Sequence, residues 1–132
     1  MKIETTILKN LLQNEDYARK VLPFLNDEYF TENSDKIIYN QINNFILKYN
    51  SLPNKEALNI ELSEAKITEE DFKESVNLIN EIGKDDQEFS DLSWLLDTTE
   101  KFCQDKAIYN AVVESISILD NPKSTADKGA IP

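Results

Sequence analysis

From Ser90 to Leu119 the chain runs without a proline or a glycine (SDLSWLLDTTEKFCQDKAIYNAVVESISIL), and its apolar residues recur at three- and four-residue steps. That spacing, through Leu92, Leu95, Leu96, Phe102, Cys103, Ile108, Tyr109, Val112, Val113, Ile116 and Leu119, predicts one continuous helix. At about 1.5 Å per residue such a helix extends roughly 45 Å, more than the diameter of a domain of ~130 residues. Part of it must therefore project from the body of the protein or meet a partner.

The faces of this helix say more. Leu95, Phe102, Tyr109, Val112, Ile116 and Leu119 form a seam close to heptad spacing, with Thr98 and Asp105 as imperfections. Ile108 and Val113 lie off that seam. Two apolar faces require two packing partners, and the preceding residues supply at most one unless both faces are satisfied within the monomer. The residues expected at a protein interface are Phe102, Ile108, Tyr109, Val112, Val113, Ile116 and Leu119, with the stretch from Tyr109 to Leu119 foremost. Trp94 is read as a core anchor, with an exposed interface position as the alternative.

Upstream, the pattern is helical throughout. Ile3, Ile7, Leu8, Leu11 and Leu12 share a face of a first helix, and Asn14 is placed to cap a second, Glu15 to Leu22, which Pro23 ends. In the following segment Phe24, Leu25, Tyr29 and Phe30 are expected to plug the core while Asn26 and Asp27 turn the chain. Ser34 to Asn50 reads as an amphipathic helix through Ile37, Ile38, Ile42, Phe45, Ile46 and Tyr49. A short helix follows from Asn54 to Ser63, burying Leu58 and Leu62. Thr68-Glu69-Glu70-Asp71 resembles a capping box, and Phe72, Val76, Ile79 and Ile82 form its apolar stripe up to a stop at Gly83. Lys84 to Glu88 reads as an acidic loop, and the closing NPKSTADKGAIP as a polar tail.

The fold class is therefore all-α: a compact multi-helix head over 1–88, a long helix over 89–120 that packs partly on the head, and a linker over 121–132. With 132 residues, 40% of them apolar, one ordinary core is expected. Pro132, a residue favoured at the first position of a helix, suggests a further helix beginning there, which makes the long helix the first arm of a hairpin.

Composition narrows the function. A net charge of −11 argues against a tight nucleic-acid-binding face. With no histidine and a single cysteine, the common zinc sites and an intrachain disulfide are excluded. Cys103, on the apolar side of the long helix, reads as a small buried hydrophobe. No catalytic, cofactor or metal residues are assigned. Gly83 and Gly129 are isolated, and Gly83-Lys84 is followed by Asp85, so there is no phosphate loop. Glu69, Glu70 and Asp71 suit a helix N-terminus for dipole reasons alone, and Asp85, Asp86 and Glu88 lack the glycine and spacing of a calcium loop. No apolar run approaches the ~20 residues of a membrane span, and the start MKIETTILKN lacks a secretory apolar region, so a cytoplasmic protein is expected. An interaction surface is what remains, with an acidic DNA mimic that inhibits a host enzyme as the alternative.

Three stretches, ILKNLLQNEDYARKVLPFLNDEYF, IIYNQINNFILKYNSLPNKEALNIEL and DLSWLLDTTEKFCQDKAIYNAVVESI, together with the closing GAIP, resemble in order the N-terminal domain of DnaB-like replicative DNA helicases. Cellular members carry a glycine in the first helix, where this chain has Lys9 or Asn10, and a Gly-Gly turn where it has the connector Lys84 to Glu88. Those departures place the resemblance with the T-even phage branch. The resemblance implies a helical head and hairpin that pair between subunits into a collar on a hexamer. It also implies recruitment of primase and a helicase loader, and a parent protein that moves on single-stranded DNA in the host cytoplasm. ATP and Mg would belong to a motor domain following residue 132, with no cofactor in the present stretch.

Overall fold

The computed structural model describes residues 2–84 and 91–120, with side chains up to Ser117. Within them lie six α-helices, α1 (Ile3–Gln13), α2 (Glu15–Val21), α3 (Asn33–Tyr49), α4 (Lys55–Ser63), α5 (Glu69–Ile82) and α6 (Leu92–Asp120), and a 3₁₀ turn at Asp27–Tyr29. No strand occurs among the described residues, so the all-α expectation holds, long final helix included. The loop reading of Lys84 to Glu88, beyond Lys84 itself, lies outside the described residues, as do the tail from 121 and the side chain of Leu119.

Local chemistry sets the helix starts. Asn14 Oδ1 accepts from the Tyr17 N–H at 3.1 Å, Asn54 Oδ1 from Ala57 N–H at 2.7 Å and Thr68 Oγ1 from Asp71 N–H at 3.1 Å. Each satisfies an amide that the first turn of a helix leaves without a carbonyl. At the other end of α3, Asn50 turns the chain in the left-handed conformation (φ 54°), which asparagine tolerates. Arg19 reaches across from α2 to donate to Asn50 Oδ1 and to its carbonyl, at 3.2 and 3.0 Å. Gly83 does end α5, though not in a left-handed turn (φ −87°). Its missing side chain serves close approach instead: a Cβ there would stand 2.9 Å from the Ile79 carbonyl oxygen and 3.1 Å from the Lys55 stem.

The apolar faces converge as their spacing requires. α1 packs on α2, α3 and α5; α4 closes against α3 and α5; α6 packs on α2 and the 3₁₀ turn. Ile7, Leu8 and Leu11 of α1 meet Ile38 and Ile42 of α3, Leu58 and Leu62 of α4, and Ile79 and Ile82 of α5 in one core. Phe30 and Tyr39 stack at 5.5 Å between ring centres, and Tyr39 donates to the Leu25 carbonyl at 3.0 Å. Gln13 ties α1 to the end of α5 by donating to the carbonyls of Ile82 and Lys84.

Several aromatic residues fall elsewhere than the sequence suggests. Phe24 is 69% exposed, because the tight turn after α2 points the adjacent Leu25 inward in its place. Trp94 is exposed for a similar reason: Leu95, about 100° further round the helix, takes the core position. Phe72 and Tyr49 lie at helix ends and stay at the surface, whereas Leu78 joins the core of α5.

Candidate interaction surface

α6 is one helix in two environments. In its first part Leu95, Thr99, Phe102 and Cys103 are buried. The Tyr17 hydroxyl and Thr99 Oγ1 share a hydrogen bond of 2.6 Å inside the core, binding α2 to α6. Burial pushes the Tyr17 hydroxyl up to about 12, with the Thr99 bond partly opposing it, so it stays a neutral phenol. The Phe102 ring lies 5.9 Å from that of Phe30. Burial also raises the Cys103 thiol above its ordinary range, with Glu100 adding to it, which suits a small core residue and not a nucleophile.

Beyond Lys106 the surroundings change. Ile108, Tyr109, Val112, Val113 and Ile116 are exposed, from 45% at Val113 to 64% at Ile108. Of the interface residues expected from sequence, these five form one exposed run, and the side chain of Leu119 lies outside the described residues. Phe102 stands apart from them: it belongs to the core, because the 3₁₀ turn carries Phe30 over it. Among the described residues the last hydrogen bond from α6 to the body is that of the Asn110 side-chain amide, which donates to the Glu28 carbonyl at 3.1 Å. Nearby, the Lys106 ammonium sits 5.9 Å from the ring centres of both Phe102 and Tyr109, straddling the boundary.

The two parts share a phase. Leu95, Phe102, Tyr109 and Ile116 follow one another at heptad intervals, and an ideal helix rotates such a series by only ~20° per heptad. The stripe that anchors α6 in the core thus continues beyond it, uncovered by any of the described residues. An apolar cleft of about 590 Å³ adjoins it, lined by Val21, Phe24 and Tyr29 on one side and Leu96, Cys103 and Ala107 on the other. Neither this cleft nor the buried acid Asp35 in the first turn of α3 was legible as such, since an acid there reads as one more dipole-favoured carboxylate.

Among the described residues no three or more His, Cys, Asp or Glu side chains are grouped to hold a metal ion, and no helix is long and apolar enough to cross a membrane. No family model matches the chain. It is 32% identical, over 134 aligned positions, to the DnaB-like replicative helicase of Enterobacteria phage T4. The alignment takes in 96% of this chain and 28% of that protein, so the chain spans little more than a quarter of the relative's length. The resemblance read from the sequence is thus shown over nearly the whole chain, as similarity to the DnaB-like replicative helicase of a T-even phage, in keeping with a fragment from its N-terminal part.

Proposed function

We propose that this chain is a non-catalytic collar domain of a hexameric, ATP-dependent replicative DNA helicase in phage DNA replication, and that the second part of α6 joins its subunits. The exposed stripe from Ile108 to Ile116 carries the reading, because it continues the heptad phase of the buried Leu95 and Phe102 and none of the described residues covers it. Covering such a stripe removes apolar surface from water at about 25 cal/mol per Å², so a second copy presenting the same face is a self-complementary partner. The similarity to a replicative helicase supports the wider setting. There the collar recruits primase and the helicase loader, while ATP, Mg and single-stranded DNA are handled by the motor of the parent protein in the host cytoplasm.

Sedimentation equilibrium tests the subunit contact. A monomer–dimer equilibrium that shifts with concentration is expected, and Tyr109→Asp combined with Ile116→Asp should abolish it while the circular dichroism spectrum stays helical. A chain that remains monomeric at millimolar concentration removes the reading.

A further inference from the structure

Away from α6, the first turn of α3 holds an acid in an unusual place. Asp35 is only 6% exposed. Its carboxylate takes part in none of the side-chain hydrogen bonds or ion pairs found among the described residues, and its oxygens are not among the buried atoms cut off from water, so they face the cleft. It lines an open cleft of roughly 700 Å³ between the beginnings of α1 and α3 and one face of α5. Glu32, Glu74 and Glu81 line the same cleft, and Glu4 adds to the negative field on Asp35. The nearby cation is Lys2, whose ammonium stands 4.0 Å from Glu32, with both side chains more than half exposed (66% and 58%). Lys2 thus pairs with Glu32 and forms no ion pair with Asp35, although its charge opposes in part the negative field there.

A carboxylate drawn out of water without donors must either take up a proton or find a cation. Burial, followed by Glu4, raises the Asp35 carboxyl to about 6, with Lys2 opposing in part. Near neutral pH the Asp35 carboxyl is therefore largely ionised, in a hollow whose lining holds three further carboxyl side chains. Its acids come from different helices and are not grouped for a bare metal ion. A cation that suits it must bring several donors spread over its own width. The guanidinium does so: it is planar, carries five N–H donors and is less strongly hydrated than an ammonium, so it loses less on entering a partly buried site.

We propose that the Asp35 cleft is a docking site for an arginine side chain of a protein partner, with Asp35 at its base and Glu74 and Glu81 on its wall. The net charge of −11 favours the approach of such a basic partner. The cleft shares no residue with the exposed stripe of α6, so this site neither rests on the subunit contact nor fails with it.

The test is an NMR titration of the whole chain at pH 7.5 with N-acetyl-arginine methylamide, run beside spermidine and magnesium chloride at matched ionic strength. Saturable shifts centred on Asp35 and Glu81 are expected with the arginine derivative alone. Asp35→Asn should weaken its affinity at least about tenfold, the order expected when one member of a buried charge pair is removed. Glu81→Gln, on the exposed wall, serves as a second variant that leaves the core untouched and should also weaken it. The proposal is overturned by the absence of saturation, by equal binding of spermidine or magnesium, or by unchanged affinity in Asp35→Asn.

Discussion

The two parts of α6 are alike in sequence character and opposite in surroundings. Leu95 and Phe102 are core residues; Tyr109 and Ile116, one and two heptads on, are more than half exposed. Helical periodicity specifies which residues share a side, but what lies against that side depends on where the other elements end. Among the described residues α2 and the 3₁₀ turn cover α6 to about Asn110, which makes the last hydrogen bond to them through the Glu28 carbonyl. The difference teaches that one continuous helix can be a structural anchor over one stretch and a free surface over the next, with no break in its pattern.

The largest expected effect lies in the anchored part. Phe102→Ala removes a buried ring that touches Phe30 and leaves a cavity beneath the 3₁₀ turn, at a cost of about 3–4 kcal/mol. Urea unfolding followed by far-UV circular dichroism should show the midpoint fall accordingly. A loss below about 1 kcal/mol would erase the contrast, because Phe102 would then behave as a surface residue.

A second effect asks whether the anchored part unfolds with the body. Asp35 has its carboxyl raised from 3.8 to about 6, chiefly by burial. A carboxyl that binds its proton more tightly when folded contributes stability that is fully present below about pH 4 and is lost as pH rises through about 6. Asp35→Asn should therefore stabilise the protein at pH 8 by about 1–2 kcal/mol, less than the full shift implies because the cleft is open to water, and by almost nothing at pH 4. The one tryptophan, Trp94, sits at the start of α6 and reports that region by fluorescence. If its transition fails to follow the pH-dependent gain, the first part of α6 is not joined cooperatively to the helices around Asp35.

Tyr17→Phe sharpens the same point at smaller cost. The buried Thr99 hydroxyl loses its partner across the α2–α6 contact, which should destabilise by about 1 kcal/mol, with the aromatic packing kept. Thr99→Val in the same background should restore part of that loss by removing the orphaned hydroxyl. An unchanged urea midpoint in Tyr17→Phe would mean that the bond does not help hold α6.

Much of this architecture was legible because its causes are local. Asn14, Asn54 and Thr68 cap helices through their own side-chain oxygens, and the spacing of Ile7, Leu8 and Leu11 defines a buried face wherever that face packs. The errors have a common physical origin. Phe24, Phe72 and Trp94 are large and apolar, yet Leu25, Leu78 and Leu95 occupy the inward positions; size says how much burial would gain, not which direction the helix presents. Asp35 was invisible because its burial depends on α1 and α5 closing over a turn whose acid is ordinary by sequence. The α6 seam was read as a single line, and its division at Lys106 follows from the reach of the 3₁₀ turn, which no periodicity encodes.

The smallest expected effect tests the free surface itself. In dilute solution Ile116→Ser exchanges an exposed β-branched residue for one of similar helix propensity, with no cavity formed. Its effect on the urea midpoint should stay within about 0.5 kcal/mol, as for surface changes that touch no special feature. At high concentration the same substitution removes apolar area from the exposed stripe, so self-association should weaken while the dilute midpoint does not move. If Ile116→Ser instead destabilises the dilute monomer by about 2 kcal/mol or more, Ile116 is packed inside the chain, and the two parts of α6 are one continuous core.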